Sequence, residues 1–190
     1  MANYHNLHLK SHVFNRGVPP DSFLDELIAW GKSAPNEIFV RNKVSDIYSS
    51  VYNTLGPYRE VRHRKCVMLE VMRVLAGFES SWNWEEGFDT SAAPERPEEM
   101  EAGAWQVSAN SMNFGSDLIA VVQRAAGSNI SFDVSDFRKL MKSNHPLAME
   151  YIARLLRHTT HHNGPVLRHE IDPWLRWEAV DEFYWFIYGE

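Results

Sequence analysis

The residue whose type and setting best suit it to chemistry is Glu79. It ends the apolar run VMRVLAGFE and precedes SSWNWEEGFD, so Phe78, Trp82 and Trp84 flank it in sequence. A carboxyl group pressed against aromatic surface loses solvation, which raises its pKa and keeps it protonated near neutrality. A general acid for glycosidic bond cleavage needs that property. The same pattern also fits a carboxylate that merely ends a helix in solvent. Asp89, in GFDTS ten residues further on, is the first candidate for a partner carboxylate, and Glu85, Glu86 and Glu101 are also within loop reach.

The other reactive side chains offer less. His158 and His162 have the i, i+4 spacing of a helical metal pair, but Asn163-Gly164-Pro165 follows at once and suggests that the helix ends within the cluster. No Cys or carboxylate falls at a familiar zinc spacing, and no metal or cofactor is expected. His5, His8 and His12 read as surface residues of a mobile start. Cys66 sits in an apolar helix and reads as packing, with no nucleophile arrangement around it. The run Glu95-Arg96-Pro97-Glu98-Glu99-Met100-Glu101 reads most simply as a solvated loop, or else as the negative wall of a cleft for a cationic polymer.

A second segment, Ala102-Gly103-Ala104-Trp105-Gln106-Val107-Ser108, is a small-residue turn followed by an aromatic and a glutamine. Together with Glu79-Ser80-Ser81-Trp82-Asn83 it resembles the lytic transglycosylases and goose-type lysozymes of the lysozyme superfamily. In that group a catalytic Glu-Ser at a helix end is followed by a Ser-aromatic-Asn continuation and a Gly-rich turn leading to Gln. A third block, His161-His162-Asn163-Gly164-Pro165, is similar to the family's Tyr-Asn-Ala-Gly-Pro stretch, with His162 in the aromatic's place and one residue fewer. The resemblance covers roughly residues 65 to 170. Ser108 stands where goose-type lysozymes often carry Asp.

The resemblance implies a cell-wall glycan-cleaving enzyme. Glu79 would protonate the glycosidic oxygen between N-acetylmuramic acid and N-acetylglucosamine of peptidoglycan. Ser80 would help orient the carboxylate, Gln106 would bind substrate or brace the cleft, and His162 and Asn163 would line the opposite wall. Trp82, Trp84 and Trp105 would stack on sugar faces, with core packing as the alternative for each. Inverting hydrolysis needs a second carboxylate, for which Asp89 is the candidate; lytic transglycosylation needs only Glu79. Chitosanases of the same superfamily pair a Glu with an Asp, so a chitosan-cleaving enzyme is an alternative. A non-catalytic binding or structural module on the same scaffold is another.

These residues must be positioned by helices. Asp21 or Ser22 can cap a first helix with an apolar face of Phe23, Leu24, Leu27 and Ile28. A second carries Val44, Ile47, Tyr48, Val51 and Leu55 and stops at Gly56-Pro57. A third, from about Glu60 to Phe78, is apolar over so broad a surface that it should be the core's central helix. Residues 81–109 read as a long ordered loop, and such loops are usually functional. Helices resume at 116–126, 135–142, 146–156 and 173–188, the last two with Pro at the first helical position. Nothing alternates with period two. The expectation is an all-α chain, or α with a minor β element, of the lysozyme type, with residues 1–20 as an extension and 21–190 as one domain.

Composition narrows the setting. Nineteen Lys and Arg against twenty-five Asp and Glu give a net charge of −6, which argues against holding nucleic acid or an anionic membrane by charge alone. The longest stretch without a charged residue, Ala102 to Ser116, is too short and polar to span a bilayer. The start, MANYHNLHLKSHVFNRGVPP, lacks the apolar core of a secretory signal, and a single cysteine allows no internal disulfide. A protein made in the cytoplasm is expected, and a wall-cleaving enzyme of this kind would need a non-classical export route. It could also require an immunity or inhibitor protein as partner.

Overall fold

A computed structural model describes residues 4–40, 46–58, 60–88, 96–126, 133–161 and 164–189. The chain is mostly helical, with eight α-helices among the described residues: α1 (Asp21–Ser33), α2 (Ile47–Ser50), α3 (Tyr52–Leu55), α4 (Val61–Ser80), α5 (Ser116–Ala126), α6 (Val134–Ser143), α7 (His145–Leu155) and α8 (Trp177–Tyr188). Short 3-10 turns join several of them. The minor β element is one antiparallel hairpin of two-residue strands, β1 (Glu101–Ala102) and β2 (Val107–Ser108), pairing Glu101 with Ser108 and Ala102 with Val107.

The central helix is α4. Fifteen of its 20 residues are buried, so it presents core surface on nearly every side. It packs against α1, α8, α7 and the 3-10 turn Asn36–Phe39, while α5 and α6 lie on α7. Three of its charged side chains, Lys65, Glu70 and Arg73, therefore lie inside. Arg73 donates from Nε and Nη2 to the two oxygens of Glu70, each at 2.7 Å, and both side chains are fully buried. Glu70 also accepts the backbone N–H of Arg176 at 2.8 Å, and Arg73 reaches the Ser11 carbonyl. A buried pair survives only when its remaining lone pairs and protons are satisfied in this way. Lys65 closes the end of α1, donating to the carbonyls of Gly31 and Ala34 at 3.1 and 2.8 Å.

The structure departs from the sequence reading in four places. Residues 4–20 do not stand apart from the helices: Tyr4, Leu9 and Val13 are buried, and Glu182 of α8 accepts the backbone N–H groups of His8 and Leu9. The capping position of α1 is Pro20, and Asp21 instead pairs with Lys10 at 2.7 Å. The second predicted helix is two short turns, capped by Asp46 and broken at Val51; its predicted first residue, Val44, lies outside the described residues. The last predicted helix opens with a 3-10 turn at Asp172–Trp174 and restarts at Trp177. The Arg176 N–H given to Glu70 is withdrawn from the helical ladder, and the chain is extended at Leu175 and Arg176.

The remaining predicted helices form within a residue or two of their expected bounds. Asp133 caps α6 by accepting from Ser135 and Asp136, and Asn144 caps α7 by accepting from Leu147. No described helix is long and apolar enough to cross a membrane.

Candidate active site

The site is built where α4 stops. Ser81 and Trp82 adopt left-handed φ of 57° and 61°, and their N–H groups return to the carbonyls of Gly77 and Ala76. This reversal tucks the Trp82 indole beneath the helix, where its N–H donates to the Arg73 carbonyl at 2.8 Å. The helix backbone and the ring approach so closely that a Cβ at position 77 would sit 2.4 Å from Trp82 Cζ2, which accounts for glycine there. Glu79, in the last helical turn, is left half-buried beside the reversal.

Ser80 locks this helix end to the hairpin. Its Oγ donates to the Ala104 carbonyl at 2.8 Å and accepts the Asn83 N–H at 3.1 Å. The hairpin turn uses Gly103 at φ 77°, where a side chain would also strike the Met141 carbonyl. Trp105, donating its indole N–H to the Met72 carbonyl at 2.8 Å, pins the turn to the middle of α4. Gln106 follows at φ 44°, its amide nitrogen bonded to the Gly103 carbonyl at 2.9 Å.

Glu79, Trp105, Gln106, Gly164 and Pro165 line one open cleft of about 490 Å³. All three sequence blocks therefore meet at a single place. Asp89, His162 and Asn163 lie outside the described residues. Trp82 is not in the cleft: it is buried and acts as the floor of the helix end. Trp84 packs against Trp105 and stacks on His145, with centroids 3.9 Å apart, so it also serves the scaffold. Ser80 holds the helix end by bonds to backbone, not by a bond to the Glu79 carboxylate.

Burial pushes the Glu79 carboxyl up from the ordinary 4.5 to about 7. The charge of Glu101 acts in the same direction; Arg168 opposes it, and Glu170, which is paired with Arg168 at 2.8 and 3.0 Å, offsets that opposition. Glu79 makes no hydrogen bond among the described residues, so its proton is free for a ligand. Glu101 lies on β1 across the cleft lining, and its own carboxyl is raised by burial. Glu85 and Glu86 do not line the cleft; Glu86 accepts from Asn83, and the Glu85 carbonyl accepts from Lys142.

Phe114 and Asn110 also line the cleft and were not singled out in the sequence. Phe78 and Phe114 offer aromatic surface, while Ser108 and Asn110 add polar groups. Beneath them Ser111 bonds the Ser108 carbonyl and the Tyr151 hydroxyl, each at 2.6 Å. Phe114 falls in the 3-10 turn Ala109–Phe114, whose irregular spacing carries no periodic signal. A neutral acid beside aromatic faces, amides and hydroxyls can protonate the leaving oxygen of a polyhydroxylated ligand while its C–H faces pack on the rings.

Among the described residues no group of three or more His, Cys, Asp or Glu side chains could hold a metal ion. His158 is hydrogen-bonded to Asp117 at 3.1 Å, and α7 ends before it, at Leu155. No protein-family model, curated protein or solved structure matches this chain.

Proposed function

We propose that this protein is a glycan-cleaving enzyme on a lysozyme-type helical scaffold, acting on the β-1,4 bond between N-acetylmuramic acid and N-acetylglucosamine of peptidoglycan. One observation carries the reading. Three segments that resemble lytic transglycosylases and goose-type lysozymes, far apart in sequence, line one cleft around a carboxyl group that holds its proton to about pH 7.

Glu79 donates its proton to the bridging oxygen as the bond from that oxygen to the sugar C1 breaks. The carboxylate left behind then takes a proton from the hydroxyl that attacks C1, which restores the acid. Water as the attacking group gives a reducing end. The muramic acid's own C6 hydroxyl gives a 1,6-anhydro sugar. Glu101 supplies a second carboxylate whose charge adds to burial in raising the Glu79 pKa and offsets positive charge developing at C1. Phe78, Phe114 and Gln106 hold the sugar, while Ser80, Gly77 and Trp82 position Glu79 without touching substrate.

The test is the release of soluble fragments from purified peptidoglycan as a function of pH. Activity depending on protonated Glu79 falls as the pH rises through about 7. A rate that climbs through that range, or no release at any pH, overturns the proposal.

A further inference from the structure

Beside the cleft lies a second cavity of about 400 Å³, lined by Gly87, Phe88, Glu101, Arg138, Lys139 and Lys142. Glu101 borders both cavities, so the two are neighbours across strand β1. Half of the lining is cationic, in a chain whose net charge is −6. The three cations come from α6, at positions i, i+1 and i+4.

The groups in direct contact with Arg138 and Lys142 are neutral, while Glu101 shares the lining and Asp133 acts on Arg138 by charge without forming an ion pair. The Arg138 guanidinium lies over the Phe88 ring at 5.6 Å and touches the Met100 sulfur, and Lys142 donates to the Glu85 carbonyl at 2.8 Å. Among the described residues none of the three forms an ion pair. Other surface arginines do: Arg96 with Glu99, Arg124 and Arg154 with Glu150, and Arg168 with Glu170. Cations held in place by a ring, a sulfur and a carbonyl keep their charge available to an incoming anion. A fixed guanidinium with two ammonium groups suits carboxylate oxygens.

We propose that this cavity is a subsite for the carboxylates of the peptide borne by muramic acid, so the chain takes peptide-bearing glycan in preference to uncharged or cationic glycan. The inference rests on the reading of the Glu79 cleft as a glycan site and adds its substrate class. Muramic acid carries its peptide on a lactyl ether, which brings anionic groups within a sugar's width of the scissile bond. Chitosan presents ammonium groups there, which Arg138 and Lys139 would repel.

The experiment measures binding of an N-acetylglucosaminyl-muramyl peptide to Glu79→Gln protein, with and without Lys139→Gln and Lys142→Gln. The same ligand with its carboxyls amidated is the comparison. Loss of the two lysines should weaken binding of the anionic ligand about five- to tenfold and leave the amidated ligand unchanged. Because Lys142 also holds the Glu85 carbonyl, Lys139→Glu alone is the second variant; its side chain is exposed and it should weaken only the anionic ligand. Equal effects on both ligands, or none on either, overturn the subsite. Cleavage by wild-type protein is read separately on a peptide-bearing tetrasaccharide, which contains the bond from muramic acid C1 to N-acetylglucosamine: selective binding without cleavage removes the catalytic reading and leaves the subsite standing.

Discussion

Replacing Glu79 with Gln should stabilise the protein in alkaline solution. In the fold this carboxyl titrates near 7, against an ordinary value of 4.5. Below about pH 4.5 the folded and unfolded chains both hold the proton, and the group adds no pH dependence. Between 4.5 and 7 the unfolded chain releases a proton that the folded chain retains, so rising pH favours unfolding. Each pH unit in that interval removes about 1.4 kcal/mol, and the whole interval roughly 3 kcal/mol. Above 7 the loss is complete. Glutamine has the same shape and no charge, so the variant escapes the loss. Urea unfolding followed by tryptophan fluorescence should give matching midpoints near pH 4 and a variant midpoint about 1–2 M higher near pH 8.5. A difference that stays constant across this range refutes the burial argument, since only a shifted carboxyl produces the pH dependence.

Two further substitutions test the parts that set this state. Glu101→Gln removes a negative charge that raises the Glu79 pKa, so the alkaline fall in activity should move to lower pH, as measured by fragment release across the pH range. Gly77→Ala places a methyl group 2.4 Å from the Trp82 ring; urea unfolding should show a loss of about 1–3 kcal/mol, and fragment release should fall as the helix end shifts.

Much of the scaffold was legible because it is periodic. The breadth of apolar residues in 60–78 marks a helix surrounded by protein, and α4 is buried on nearly all sides. Caps such as Asn144 before α7 act through the next few residues, so sequence carries them. The break before α8 was not legible, because its cause is Glu70, distant in sequence and reached only in the folded chain. The burial of residues 4–20 has the same origin: their partners, Asp25 and Glu182, lie on helices that the segment cannot specify alone.

At the site, the place of Glu79 at a helix end next to Phe78 was legible in the sequence, and Gln106 was singled out by the resemblance of residues 102–108 to the lytic transglycosylase block. The role of Trp82 was not legible. Whether an indole stacks on a ligand or folds under its own helix depends on two left-handed residues and a glycine five positions back, and composition is the same in both cases. Glu101 was one of four carboxylates within reach. Only the hairpin register, which sets it opposite Ser108 at the cleft, separates it from Glu85 and Glu86.

The most direct measurement of the central claim is digestion of purified peptidoglycan by wild-type and Glu79→Gln protein, with products identified by mass spectrometry. Wild-type protein should release disaccharide-containing fragments, ending either in 1,6-anhydromuramic acid or in a reducing sugar, and Glu79→Gln protein should release none while remaining folded. Fragments released equally by both proteins, or by neither, would contradict the assignment of Glu79 as the acid that cleaves the glycan.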